Sequence, residues 1–228
     1  DSQVLQGFQF FKVYDEHQLE FVILAKGDSD DVYMIGKVAS FQIQNLLVAY
    51  KERFDKDNFI KNLLLDNLLL IDIYNRSKKL HIETDVKRIV MLIELSNEKE
   101  PNGLELVRSI YTGRPKDFIT AVDEKSIIIV REVKENEDYD DLCKAAKVVH
   151  EMLCGENLSK AKVSLGTIVN EIKDVSRSYK EARMAMDVGK IFYAERNVVA
   201  YSHLRHALSL GIEKPLRPIA LPALPWAY

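Results

Sequence analysis

Two adjacent carboxylates, Asp123 and Glu124, are the residues of this 228-residue chain that come closest to metal-dependent chemistry. A carboxylate pair can hold a divalent ion and help it to activate an attacking hydroxyl. Both residues stand in a short turn between two β-rich runs, where acidic side chains usually serve as solvated turn formers. The pair therefore indicates a metal site only if other features of the chain support one.

The remaining reactive residue types give no such support. The five histidines, at 17, 81, 150, 203 and 206, lack metal-ligand spacing with cysteines or carboxylates. Cys143 and Cys154 on one helix would lie about 16 Å apart, beyond disulfide reach, so we expect two free thiols. The phosphate-binding loop, the dinucleotide fingerprint and the nucleophile elbow are absent. We predict no catalytic residue, no metal ligand and no cofactor.

The composition excludes further classes of function. The chain carries 32 basic and 35 acidic residues, a net charge of −3, whereas a DNA-binding module normally presents a basic face. No run of 18 apolar residues is present, so we predict no membrane span. The sequence starts without methionine and opens almost directly into a strand-like run. We expect a piece of a longer, cytoplasmic protein.

The elements that would position the turn lie between residues 87 and 201. The apolar run 89–93 predicts a strand buried on both faces. Residues 118–122 and 126–132 predict a hairpin, 138–153 and 171–190 predict helices, and 162–166 and 197–201 predict short strands. Pro101-Asn102-Gly103 opens a further predicted helix that runs through Tyr111, and Gly113 with Pro115 ends it. The order is therefore β-α-β-β-α-β-α-β. The predicted fold class is α/β (α+β), with a ferredoxin-like β-α-β-β-α-β core.

The first 80 residues predict a hairpin followed by long helices. Residues 8–13 and 19–25 are β-rich, and the cluster Asp28-Ser29-Asp30-Asp31 favours a helix start. Apolar periodicity then predicts helix over 31–54 and over 55–80. Small sensor domains of the PAS/GAF type often end in this way. The absence of glycine and proline from Lys37 to Asn97 favours a signalling linker, although two core helices of one domain fit as well.

Three segments, at 59–83 with the following strand 87–95, at 174–186 and at 198–201, resemble the GGDEF-like domain of the PucR/CdaR transcriptional regulators. The lead-in FIKNLLLDNLLLIDIYNRSKKLHIE at 59–83 precedes the strand KRIVMLIEL, and VVAY at 198–201 matches the last strand. The segment DVSRSYKEARMAM at 174–186 is similar to that family's Ser-Tyr-x-Glu-Ala-x-x-Ala helix. Its signature residues are Ser178, Tyr179, Glu181, Ala182 and Ala185.

The resemblance implies a regulator with an N-terminal sensor, this middle domain and a C-terminal helix-turn-helix. We expect the end of a PAS/GAF-like sensor at 1–54, a linker helix at 55–83 and the GGDEF-like domain at 84–204. A small-molecule effector would act through the incomplete sensor. No helix-turn-helix pattern follows residue 204, so DNA would be bound only through a domain absent from this chain. Four prolines make 205–228 an irregular tail, either a non-native extension or a natural linker.

The resemblance also sets the chemistry that the turn would need. A working diguanylate cyclase needs two glycines in the hairpin turn for backbone approach to the nucleotide. Here Ala121 and Val122 precede Asp123-Glu124, and Glu94 is the one carboxylate near the family's metal-binding position. We therefore expect no enzyme but a regulatory relay. The alternative is a degenerate cyclase fold that acts as a nucleotide or metabolite receptor.

A helix that is apolar nearly all round predicts a homodimer through residues 31–80, because such a helix must be buried on more than one side. The expected interface contains Phe59, Leu63, Leu64, Leu68 and Leu69. The alternative is that this helix packs wholly against residues 87–201 of its own chain. A second surface, the basic run Arg177, Lys180 and Arg183, predicts a solvated helix face, with a partner-binding face as the other interpretation.

Overall fold

A computed structural model describes residues 3–5, 7–15, 17–95, 103–111, 116–155 and 161–204. The chain divides into two units. The first contains the described residues up to Ile60 together with Arg76–Ile82, and the second contains Lys61–Asn75 and the described residues from Glu83 onward. The tail 205–228 and the predicted helix signals at 101–102 and 113–115 lie outside the described residues.

The first unit opens with a three-stranded antiparallel sheet. Its strands β1 (Gln3–Leu5), β2 (Phe8–Asp15) and β3 (Gln18–Lys26) lie in the order β1-β2-β3. The predicted hairpin is thereby confirmed as β2 and β3, while the sequence reading missed β1.

Helix α1 (Asp30–Leu64) follows the sheet and has 35 residues, a length of about 52 Å. The hydroxyl of Ser29 accepts a hydrogen bond from the Val32 N–H at 3.4 Å, and two aspartates occupy the first turn, where the helix dipole favours them. The predicted helix start is confirmed. Gly36 lies against the Phe11 ring of β2, so closely that a Cβ there would meet the ring at 2.1 Å.

The predicted continuous helix over 55–80 is wrong, because α1 ends at Leu64 and α2 (Leu70–Lys79) is a separate helix. Asp66 adopts a left-handed φ of 57°. The Asn67 N–H donates to the Asn62 carbonyl at 2.9 Å, and the Asp66 N–H donates to Leu63 at 3.2 Å. These two bonds form a Schellman cap, which satisfies carbonyls at a helix end.

A second cap of the same kind ends α2. His81 has a φ of 55°, the Ile82 N–H donates to Ser77 at 2.8 Å, and the His81 N–H donates to Lys78 at 3.3 Å. Both helices therefore stop without the glycine that usually occupies the left-handed position of such a cap.

The second unit is built on a five-stranded sheet. Its strands lie in the order β5-β6-β4-β7-β8; neighbours are antiparallel, except that β7 and β8 are parallel. The strands and helices of the unit, in chain order, are β4 (Arg88–Glu94), α3 (Gly103–Ile110), β5 (Phe118–Ala121), β6 (Ser126–Glu132), α4 (Tyr139–Gly155), β7 (Lys162–Leu165), α5 (Val175–Phe192) and β8 (Val198–Ala200). A 3-10 turn, Ile172–Asp174, leads into α5. The predicted order and the α+β class are confirmed.

Helices cover both faces of this sheet, as the uninterrupted apolar run of β4 predicted. Alternate residues Ile89, Met91 and Ile93 share one buried cluster with side chains of α3 and α4. On the other face, the backbone of Val90 and the side chain of Ser164 bond to α5. Among the described helices, none is long and apolar enough to cross a membrane.

Cys143 and Cys154 both lie on α4 and both are free thiols, as predicted. Burial, followed by the nearby Asp140 carboxylate, raises the pKa of Cys143 to about 11. A thiol with this pKa is almost entirely protonated at neutral pH.

We expect His81→Gly to stabilise the protein by up to about 1 kcal/mol, because glycine adopts φ of 55° without the Cβ penalty. His81→Val is the matched control and should destabilise it, since a β-branched side chain is strained there. Urea unfolding monitored by circular dichroism measures both. Equal midpoints for the two variants would contradict the assigned cap.

With Cys154 replaced by serine, we expect iodoacetamide to alkylate Cys143 roughly tenfold more slowly at pH 8.5 than in the urea-unfolded chain. The thiolate fraction is lower at a pKa of about 11, and the greater nucleophilicity of a basic thiolate offsets part of the loss. The alkylation rate should keep rising with pH up to about 11. A plateau near pH 8.5, the ordinary cysteine value, would show the assignment to be wrong.

Candidate functional site

The carboxylates singled out in the sequence lie at one end of the five-stranded sheet. Glu94 ends β4 and is the register partner of Ser126, the first residue of β6. Asp123 lies in the turn before β6, where its Oδ1 accepts hydrogen bonds from the N–H groups of Lys125 at 2.9 Å and Ser126 at 2.6 Å. Asp123 therefore shapes the turn, the role that acidic turn residues usually have.

Two cations of α5 reach the same end of the sheet. Lys190 Nζ lies 2.6 Å from a carboxylate oxygen of Glu94. Arg183 donates to the Ser126 hydroxyl at 3.1 Å, and another of its nitrogens lies 3.9 Å from Asp123. We call these five residues, Glu94, Asp123, Ser126, Arg183 and Lys190, the sheet-end cluster.

A cation of α5 lies beside each of the two carboxylates in this cluster. Partial burial raises the pKa of Asp123, but hydrogen bonds from Ser126 and Lys125 and the charge of Arg183 outweigh it and hold the pKa below the ordinary value. A divalent ion at Glu94 or Asp123 would have to displace an ammonium or a guanidinium. Within the described ranges, no three His, Cys, Asp or Glu side chains come together in a way that could hold a metal ion.

The turn itself departs from what nucleotide binding would need. Ala121 and Val122 are half-buried and each carries a Cβ where a cyclase would have glycine, while Glu124 is exposed. The arrangement therefore forms charge pairs between the sheet and α5.

The signature residue Ser178 supplies hydrogen bonds where the regular pairing between β4 and β7 ends. Regular strand pairing runs from Glu94–Lys162 to Met91–Leu165. Beyond it the Gly166 N–H still donates to the Val90 carbonyl at 3.0 Å, and the next bridge joins Arg88 and Val169. In the gap, the Val90 N–H donates to the Ser178 hydroxyl at 3.1 Å. The same hydroxyl donates to the Thr167 carbonyl at 2.7 Å. Ser178 is completely buried, so it satisfies two backbone groups that would otherwise be costly to bury.

Glu181, one turn further along α5, also bonds to Thr167. Its Oε2 accepts hydrogen bonds from the Thr167 N–H, at 2.9 Å, and from the Thr167 hydroxyl. Gly166 permits the close approach, since a Cβ there would lie 2.0 Å from the Ser178 carbonyl oxygen. We call Gly166, Thr167, Ser178 and Glu181 the ladder-gap junction.

The other signature residues fit α5 to the sheet. Ala182 and Ala185 are completely buried, and the Ala182 carbonyl accepts a hydrogen bond from Ser164 of β7 at 2.7 Å. Tyr179 is nearly buried, which raises its pKa. The sequence reading missed Gly166 and Thr167; a glycine directly after a short strand was the available signal, because it often marks a close backbone approach.

The residues predicted for a dimer interface do not form one surface. Phe59, Leu63 and Leu64 are only 1–2% exposed, because other residues of the same chain cover them. These three side chains are therefore not available to a second copy, contrary to the predicted interface. Leu68 is half-buried, and Leu69 is 72% exposed. The existence of a dimer stays a prediction.

The three basic residues of α5 that were predicted to form a solvated face do not all lie in solvent without a charge partner. Lys180 pairs with Asp66 of the inter-helix turn, and Arg183 joins the sheet-end cluster. Arg177 is exposed. Two of the three cations thus make charge pairs inside the second unit.

We expect Gly166→Ala to lower the free energy of unfolding by about 3 kcal/mol, the upper part of the range for overpacking. The added methyl would press on the backbone of Ser178, which no rotamer change can relieve. Gly155→Ala is the matched control; nothing lies within 4 Å of its added Cβ, so the change should stay within about 0.5 kcal/mol. Chemical denaturation measures both. Equal effects would rule out the close approach at Gly166.

Comparison with known protein families shows which family this sheet and its helices belong to. A search of curated proteins gave no match. The model of the GGDEF-like domain matches residues 68–188, from the inter-helix turn to the body of α5. The match includes both acidic residues of the sheet-end cluster and the whole ladder-gap junction, and it spans more than half of the chain. The chain therefore belongs to the GGDEF-like domain family.

Proposed function

We propose that this chain is the regulatory middle part of a PucR/CdaR-type transcriptional regulator, and that its GGDEF-like unit relays a signal without cyclase chemistry. The family match supports a regulatory role. The narrower assignment rests on the signature residues Ser178, Tyr179, Glu181 and Ala182, and on the lead-in at 59–83. The signal would come from a sensor that includes β2, β3 and the first half of α1, and it would end at a DNA-binding domain outside this chain.

The pairing of Glu94 with Lys190 is the observation that carries the non-catalytic half of the proposal. Phosphoryl-transfer enzymes use metal ions to neutralise charge that develops on phosphate oxygens. In this chain a lysine pairs with Glu94, the carboxylate near the family's metal-binding position. Arg183 lies beside the second carboxylate, Asp123. Converting such a site to catalysis would require removing both cations and opening the turn at Ala121-Val122.

The relay half of the proposal is supported by α1. The helix runs without a break from Asp30 to Leu64 and passes from the first unit into the second. A continuous helix shared by two units can transmit displacement or rotation from one to the other. A small-molecule effector would then act by favouring one arrangement of this helix.

We expect the purified protein to make no cyclic dinucleotide from GTP with Mg²⁺ or Mn²⁺, measured by chromatography against an enzyme-free control. The double variant Ala121→Gly with Val122→Gly is the matched comparison. It should also be inactive, because the cations of α5 still occupy Glu94 and Asp123. Product from the wild-type chain would overturn the relay proposal.

Calorimetry with GTP and GDP separates the relay from the receptor alternative. A relay that receives its signal from a sensor should release no binding heat with guanine nucleotides at millimolar concentration. Saturable binding at micromolar concentration, abolished by Arg183→Ala, would instead favour a nucleotide receptor at the sheet-end cluster.

A further inference from the structure

The first half of α1 carries large apolar side chains on the face opposite the sheet. Gly36 on the sheet side lies against Phe11. On the far side, Met34, Val38, Phe41 and Val48 are 59%, 56%, 62% and 59% exposed. Ile35, Leu46 and Tyr50, on other faces of α1, are also exposed, at 68%, 67% and 71%. Exposed apolar side chains of this size mark interaction surfaces, and the four on the far side share one face.

Their spacing is that of a coiled-coil seam. Steps of four, three, four and three residues lead from Met34 through Val38, Phe41 and Asn45 to Val48. In heptad terms Met34, Phe41 and Val48 occupy d positions, and Val38 and Asn45 occupy a positions. Residues at 3.5-residue spacing face one partner helix along a straight line. We call these five residues the outer seam.

We propose that the outer seam binds the same seam of a second copy of this chain in a parallel, two-stranded coiled coil. The proposal rests on the proposed relay and adds to it a surface through which two copies associate. Asn45 argues for a second copy in parallel register, since a single asparagine at an a position specifies register and oligomeric state. Its amide has donors and an acceptor, so two Asn45 side chains can hydrogen-bond to each other. In an antiparallel pair, Asn45 would face an apolar d residue and lose a partner.

The charges beside the seam allow this pairing. The g and e′ neighbours are Lys37 with Gln42 and Gln44 with Ala49, so no like charges oppose each other. Beyond Val48, the next a and d positions are Glu52 and Asp55, which would repel their copies. The contact therefore covers about two heptads, from Met34 to Val48. Because α1 is already held as a helix by its own chain, a short seam does not have to nucleate it.

Light scattering on the purified full chain tests the seam. At tens of micromolar we expect a dimer, and Val38→Glu with Phe41→Glu should give a monomer with unchanged helical circular dichroism. Tyr50→Glu is the matched control on the sheet side of the same helix, at 71% exposure, and should stay dimeric. A monomeric wild-type chain, or a seam variant that stays dimeric, would overturn the proposal. Neither outcome of the light-scattering experiment changes the expected result of the GTP assay. The non-catalytic relay and the outer seam are therefore tested independently.

Two milder variants keep the test decisive if the double glutamate variant unfolds. Asn45→Leu should strengthen association at least tenfold, because a buried asparagine gives register at a cost in stability. Asn45→Lys should weaken association by a similar factor, because two like charges would meet in one layer. Neither change threatens the fold, since Asn45 is exposed. Analytical ultracentrifugation measures both, and unchanged dissociation constants would show that another surface, or another protein, is the natural partner.

Cross-linking decides the orientation. In a background with Cys143→Ala and Cys154→Ala, Val48→Cys lies at a d position that meets its own copy only in a parallel pair. Mild oxidation should give a disulfide-linked dimer, whereas Tyr50→Cys should not. Absence of the Val48→Cys dimer would exclude the parallel arrangement.

Discussion

The hydroxyl of Ser178 bonds to the backbone where the regular pairing of β4 with β7 ends, and the packing of α5 in the second unit depends on this contact. Where β7 leaves β4, the Val90 N–H would be buried without a partner, and Ser178 supplies one while donating to Thr167. An unsatisfied buried N–H costs about 1–3 kcal/mol. Because the bond needs α5 at van der Waals distance from the backbone, it requires a residue without Cβ at Gly166.

The position of α5, which Ser178 sets, also determines which charged groups lie beside Glu94 and Asp123 at the end of the sheet. Once Ser178 is fixed, the helix carries Arg183 and Lys190 over the ends of β6 and β4. The carboxylates at this end of the sheet thereby lie beside cations of α5. The same helix therefore completes the hydrogen bonding of the sheet and supplies the charges next to Glu94 and Asp123.

The first unit follows a different principle. Phe11 of its small sheet contacts Gly36 and Tyr33 of α1, and large apolar side chains along the first half of the helix stay exposed. A helix of 35 residues cannot bury its whole circumference against three strands. Apolar surface left in this way is stabilised only by further association. The family signature lies in the second unit, and the surface suited to association lies in the first.

The sequence by itself determined the order of elements in the second unit, since buried strands and amphipathic helices have different periodicities. It also located the acidic turn and the signature helix. Only the structure showed where α1 and α2 end, because Asp66 and His81 adopt the left-handed conformation that glycine usually marks. Only the structure, likewise, showed that Phe59, Leu63 and Leu64 are buried, and that cations of α5 lie beside Glu94 and Asp123. Local patterns record which residues prefer burial or a turn, whereas the pairing of Lys190 with Glu94 joins residues 96 positions apart in the chain.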